Sequence, residues 1–211
     1  MSEIHVEIWS DLLCPWCFIG KRRFEAALAG FEHRDDVRVT WRSFELDPGR
    51  STGPELTIPQ HISRDLGLAQ PAADRVAAQV TDLAAEVGLT YRLDRARPVN
   101  SFDAHRLMHH AEAEGLGEPV RERLMTAYTA EGADLSDHDV LAGLAAEAGL
   151  DGAREVLSSN AYGEAVRADE RRARDLGVSG VPTFVFEGRL ATSGAQPAAV
   201  FAELLTRVRN G

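Results

Sequence analysis

The 211-residue chain is 44% hydrophobic and 27% charged with a formal net charge of -10, ordinary proportions for one good core, or a small core carrying a second lobe. The acidic balance argues against a nucleic-acid partner, because phosphate binding depends on Lys and Arg; the local groups Lys21-Arg22-Arg23 and Arg171-Arg172-Ala173-Arg174 fall in expected helices and read as solvated faces. No apolar run approaches the roughly 18 residues of a membrane span, and Met1 to Glu7 hold no basic stretch leading into an apolar one, so the expected location is the cytoplasm.

In chain order, Ile4, Val6 and Ile8 alternate with His5, Glu7 and Trp9, which predicts a strand over 3–9. Phe24, Ala27, Leu28 and Phe31 then recur at helical spacing, with Gly30 where the helix would end. Val37, Val39 and Trp41 alternate with Arg38, Thr40 and Arg42 in a second strand reaching Phe44. Pro48, Gly49, Gly53, Pro54 and Pro59 mark an irregular connection. More than a hundred helical residues follow, with a stripe of Val76, Val80, Leu83 and Val87 closed by Gly88. Asp137 precedes another stripe of Val140, Leu141, Leu144 and Ala148 closed by Gly149, and 102–114, 118–130 and 160–176 read similarly. After Gly177, strand character returns at Thr183 to Phe186, with a two-residue turn at Glu187-Gly188 and a strand over Arg189 to Ser193. A last helix has Pro197 just inside it and Val200, Leu204 and Val208 on its face.

Residues 1–45 and 178–211 therefore spell strand, helix, strand, then strand, strand, helix. Neither part completes a sheet alone, so 46–177 is read as one helical insertion domain within a discontinuous α/β domain.

The two cysteines of the chain sit three positions apart, Cys14-Pro15-Trp16-Cys17, where the first strand gives way to a helix. Pro15 suits the first helical position, which makes Cys14 the N-cap, its sulfur facing unpaired backbone NH groups and the positive end of the helix dipole. Thiolate is the reactive form, so Cys14 is expected to attack and Cys17 to resolve. On a regular helix i and i+3 β-carbons are roughly 5 to 6 Å apart, too far for a relaxed disulfide; with Cys14 outside the helix the pair can close with little backbone change. Two cysteines that are merely buried would leave the cap position and Pro15 without a purpose. A zinc site would need two more ligands, and of the seven histidines only His105, His109 and His110 lie close together. No metal is expected.

Two further segments, Gly177-Val178-Ser179-Gly180-Val181-Pro182-Thr183-Phe184 and Asn100-Ser101-Phe102-Asp103-Ala104-His105-Arg106-Leu107, and the turn Ser193-Gly194-Ala195-Gln196, join the Cys-Pro-Trp-Cys motif in a resemblance to the DsbA-like proteins of the thioredoxin superfamily, of the FrnE type. The resemblance implies a thioredoxin fold interrupted by a large all-helical lobe. It also implies a cis bond at Val181-Pro182 whose backbone pairs with a substrate strand, and a substrate site made by Pro15, Trp16, Val181, Pro182 and His105. Read by itself, His105 is a helix-surface histidine; the resemblance makes it a wall of the pocket above Cys14. The superfamily often keeps a buried acid beneath the redox pair. Glu7 and Asp11 are the nearby carboxylates, and neither falls cleanly on that position.

The function expected is thiol-disulfide exchange with protein thiols and disulfides or with glutathione as a co-substrate, with no other cofactor. A glutathione-dependent isomerase of the 2-hydroxychromene-2-carboxylate isomerase type shares the fold, but such relatives typically carry serine at the first active position and need no second cysteine. A peptide-binding chaperone using the same groove is the third reading, and its activity would survive loss of both sulfurs. Pro15 and Trp16 add no charge, so the potential is expected between about -270 mV, as in thioredoxin, and about -120 mV, as in DsbA.

Overall fold

A computed structural model describes residues 3–53 and 55–211; Met1, Ser2 and Pro54, the last among the residues read as marking the irregular connection, lie outside them. The order is β1 (Ile4–Ser10), α1 (Pro15–Ala29), a 3-10 turn (Arg34–Asp36), β2 (Val37–Ser43), seven helices, β3 (Thr183–Phe186), β4 (Leu190–Ser193) and a last helix. The strands form a sheet in the order β2-β1-β3-β4. β1 runs parallel to β2 with Ile4 opposite Val37 and Ser10 opposite Ser43, and antiparallel to β3 with Val6 opposite Phe186. This is the expected thioredoxin fold with its helical insertion between β2 and β3.

The chain divides into two compact units, one of Met1–Leu46 and Asp169–Gly211, the other of Asp47–Ala168. The second crossing thus falls inside α8 (Gly163–Asp175), ahead of the boundary at 178 drawn from sequence, because the C-terminal half of that helix packs on the sheet.

Period-two alternation decides the packing of the first unit. Ile4, Val6 and Ile8 of β1 meet Phe184 and Phe186 of β3 on one face, where α1 brings Phe24 and Ala27 and the last helix brings Phe201, Leu205 and Val208. Phe24, Phe184 and Phe201 form a ring cluster, with Phe24 edge-on to Phe201 at 5.6 Å. The opposite face holds Trp9 and Val185 against Ala173 of α8, and the Trp9 indole donates to the Asp169 carbonyl at 3.1 Å. The last helix, α9 (Ala198–Asn210), has Pro197 as its N-cap rather than inside it. Its buried stripe starts at Phe201 rather than Val200, because the aromatic side chain reaches the core and the smaller valine does not.

In the second unit the helices are α2 (Ile58–Leu66), α3 (Gln70–Ala85), α4 (Phe102–Ala113), α5 (Gly117–Thr126) running into a π turn (Ala127–Glu131), α6 (His138–Glu147), α7 (Ala153–Leu157) and the start of α8. Two sequence signals fall where they were read. Gly88, at φ 77°, lets Leu89 donate back to the Ala84 carbonyl after α3, and the Asp137 carboxylate accepts from the NH groups of Asp139 and Val140 at the start of α6. The buried Arg106 guanidinium donates to the Ala161 carbonyl at 2.8 Å, to the Val156 and Ser159 carbonyls, and to Asp103 at 2.6 Å, which pins the segment after α7 onto α4. Among the described residues no helix is long and apolar enough to cross a membrane, and no group of three His, Cys, Asp or Glu side chains could hold a metal ion.

Candidate active site

β1 ends at Ser10 and the chain bends through Asp11-Leu12-Leu13 into α1. Asp11 builds the bend. Its carboxylate is buried and accepts from Leu13 NH at 3.1 Å and from Leu46 NH at 2.8 Å, and its carbonyl accepts from Cys14 NH at 3.2 Å. Cys14 is the N-cap, in extended conformation at φ -91° and ψ 111°, with Pro15 opening the helix. One expectation changes here. The Cys14 sulfur makes no cap hydrogen bond to the helix NH groups; it turns instead toward the Val181 carbonyl at 3.9 Å.

Cys17 lies on the first turn of α1 and is 1% exposed against 5% for Cys14. Burial pushes the Cys17 thiol well up from its ordinary value, and the hydrogen bond to the Cys14 sulfur together with charge there pushes the same way. The backbone of Asp11 and the Ser10 hydroxyl, set against the same sulfur, pull in the other direction.

The Val181-Pro182 peptide bond is cis, as the resemblance implies, and the first unit holds this loop from several sides. Gly194 NH donates to the Pro182 carbonyl at 2.7 Å, Thr183 Oγ1 donates to the Gly180 carbonyl at 2.7 Å, and Arg23 donates to the Ala195 carbonyl at 2.6 Å. The Ser193 to Gln196 turn therefore braces the proline loop against α1. Gly20 completes the contact, because a Cβ there would stand 2.9 Å from Pro182 Cγ.

Cys14, Pro15, Cys17, Val181 and Pro182 are thus parts of one compact unit. Trp16 is 40% exposed, the large apolar side chain at the helix mouth. His105 belongs to α4 in the other unit and, at 3% exposure, is not the surface histidine its helix position suggests; it falls among Ala104, Leu107, Met108 and Ala111, all buried. Glu7 is engaged elsewhere. Burial alone would raise its carboxyl, but hydrogen bonds from Arg172 and Arg42 outweigh that and hold it below the usual carboxylate range. Arg42 also reaches Asp169 at 3.0 Å.

Three residues at the site were not singled out from sequence. Lys21, read as part of a solvated basic face, is fully buried, with Nζ 2.5 Å from Glu25 Oε1; it lies one turn beyond Cys17 on the inward face of α1, and its long stem carries the charge to an acid near the surface. Gly20 had a signal, since a glycine inside a helix costs about 1 kcal/mol and calls for a packing reason. Ser10 had none.

The chain belongs to the family of DSBA-like thioredoxin domains, whose model matches residues 5–206. It is similar to a probable DsbA oxidoreductase from Streptomyces coelicolor, with 42% identity and a TM-score of 0.95 over 99% of this chain and 91% of that one. The uncharacterized protein YwbO of Bacillus subtilis is 29% identical over 207 residues, 96% of each chain. The cytosolic disulfide reductase DsbM from Pseudomonas aeruginosa, in a structure with GSH, is 25% identical with a TM-score of 0.65, covering 97% of this chain and 99% of that one.

Proposed function

We propose that the protein is a thiol-disulfide oxidoreductase that exchanges its Cys14–Cys17 dithiol with the disulfides of proteins or of glutathione. The observation that carries this reading is the placement of the two free sulfurs at the helix start: Cys14 as the N-cap, its sulfur turned to the proline loop, and Cys17 buried on the first turn behind it. In the forward direction the Cys14 sulfur attacks one sulfur of the substrate disulfide and the other leaves as a thiolate. Cys17 then attacks Cys14 Sγ, releasing the second substrate sulfur and closing the Cys14–Cys17 disulfide. Two electrons pass from protein to substrate, and the two protons of the dithiol end on the two released thiols.

Pro15, Trp16, Val181 and Pro182 form the substrate rim in this reading, and His105 a pocket wall by resemblance alone. The segment Asn100 to Leu107 supports the FrnE-type branch. The use of the chain's two cysteines for one redox pair, and the similarity to a cytosolic reductase, support a cytoplasmic role as a reductase or isomerase of disulfides. The similarity to a relative studied with GSH supports glutathione as co-substrate. No nucleic acid or membrane partner enters this reading.

The test is a Cys17→Ser variant incubated with glutathione disulfide and with cell lysate, followed by non-reducing electrophoresis and mass spectrometry. A stable mixed disulfide on Cys14, absent from Cys14→Ser, is expected. Failure of Cys17→Ser to form any adduct overturns the reading.

A further inference from the structure

The sheet ends in β4, which pairs with β3 and has no strand on its other side among the described residues. Gly194 NH donates to the Pro182 carbonyl at 2.7 Å, and this sets the phase of the ladder. Bonded and non-bonded pairs alternate between antiparallel strands, so Leu190 and Thr192 turn their backbone groups to Phe186 and Phe184, while Ala191 and Ser193 turn theirs outward. The Ser193 carbonyl is taken by the Gln196 side chain at 2.7 Å. Ala191 NH, the Ala191 carbonyl and Ser193 NH remain as an open ladder. Soluble proteins usually blunt such an edge with Lys, Pro or an inward charge; Leu190 to Ser193 carry none of these.

The same edge adjoins a cavity of about 350 Å³ between the β3–β4 hairpin and the segment leaving α8. Leu176, Val178 and Val185 give it apolar walls, and Leu176 is 41% exposed. α8 covers this face of the sheet at Trp9 and Val185 through Ala173, but Ala191 and Ser193 beside them are small and exposed, so the cavity is open across β4. Arg189 lines it as well and makes no ion pair among the described residues. The carboxylate of its own turn, Glu187, accepts from His5 NH instead.

We propose that the β4 edge and this cavity form a docking site for an extended peptide of a protein partner, one with a bulky apolar residue followed two positions later by Asp or Glu. Added antiparallel to β4, such a peptide places the apolar residue opposite Ala191, where its side chain leans over the small alanine toward Val185 and Leu176. The acidic residue, two positions on and therefore on the same face, then lies opposite Arg189. Main-chain bonds supply affinity, and the cavity and the guanidinium supply selectivity. A second copy of this chain is disfavoured by its net charge of -10. The cavity wall Leu176 to Gly180 runs directly into Val181, whose carbonyl faces Cys14, so a partner held here is tethered beside the redox pair without touching either sulfur. The site goes beyond the thiol-exchange reading and does not depend on it.

The test uses a cysteine-free seven-residue peptide, threonine throughout except for phenylalanine at its fourth position and aspartate at its sixth, titrated into the 15N-labelled full chain. Saturable shifts of the Ala191 and Ser193 amides are expected, with slowed hydrogen exchange at both. Ala191→Pro removes the outward NH at a position where an edge strand tolerates proline, and Arg189→Glu reverses a surface charge; each should weaken binding about tenfold, the loss of one good hydrogen bond or charge contact. Arg189→Glu should regain affinity for the same peptide with lysine in place of aspartate. The proposal is overturned if no saturable shift appears at millimolar peptide, if the shifts centre on Cys14 and Trp16, or if binding is unchanged in both variants. A concentration-dependent dimer in sedimentation that Ala191→Pro abolishes would give the edge to a second copy and overturn it equally. None of these results bears on whether Cys14 and Cys17 exchange disulfides.

Discussion

Gly20 and Pro182 touch so closely that a single added carbon on residue 20 would stand 2.9 Å from the proline Cγ. The helix carrying both cysteines is thereby fitted to the loop carrying the cis proline, within one compact unit. Gly20→Ala sets two effects against each other. The helix gains about 1 kcal/mol from propensity, and the overpacked contact costs about 1 to 3 kcal/mol. A net loss of up to about 2 kcal/mol in urea unfolding is expected from those two figures, together with slower exchange because the proline loop is pushed from Cys14. A variant that gains the full helical increment and keeps its activity would show that the contact constrains nothing.

Cys17 offers a pH test with a definite sign. Its thiol is raised in the folded protein by burial and by the Cys14 sulfur, so the folded state holds that proton more tightly than the unfolded chain. Its contribution to the stability of the dithiol form is fully present below the unfolded value of about 8.5. Above that pH it is lost, by as much as about 1.4 kcal/mol per pH unit, until Cys17 ionises in the folded protein. Cys17→Ala should remove this decline in urea unfolding between neutral and alkaline pH. In the same range, iodoacetamide should modify Cys14 in the native protein and Cys17 only after unfolding; equal rates for the two would contradict the burial assigned to Cys17.

The parts legible in sequence are those where one local rule dominates. Alternation of Ile4, Val6 and Ile8 gave the central strand its inward face, and Cys14 followed by Pro15 located the helix start. Residues 47–59 were read as irregular because of their prolines, yet Pro59 sits in the first turn of α2 behind a Thr57–Gln60 capping box; proline at a helix start and proline in a loop look alike when the apolar stripe is short. The five-residue α7 is too short to show a period. Lys21 and Ser10 were illegible for another reason. Polar side chains are presumed exposed, and only the tertiary fold shows which are carried inward.

Glu7 joins β1 to Arg42 of β2 and Arg172 of α8. Its carboxyl is held below the usual range by those guanidiniums against the opposing effect of burial. The stability it provides is therefore present above the unfolded value of about 4.3 and lost as pH falls through its folded value. Glu7→Gln should cost about 1 kcal/mol at neutral pH, a modest amount because solvent partly screens the site, and should cost little once the wild-type carboxyl is protonated. A loss that is the same in acid and at neutrality would assign Glu7 a packing role instead.

The central claim is that Cys14 and Cys17 form a reversible two-electron couple, and equilibration in glutathione buffers of graded ratio, followed by mass-resolved thiol labelling, measures it directly. Pro15 and Trp16 place no charge between the sulfurs, so the helix start acts without a neighbouring cation. The predicted outcome is a single transition between dithiol and internal disulfide, with a potential between about -270 mV and about -120 mV. A chain that remains dithiol across the whole series, or that passes only to separately glutathionylated cysteines, would contradict the account.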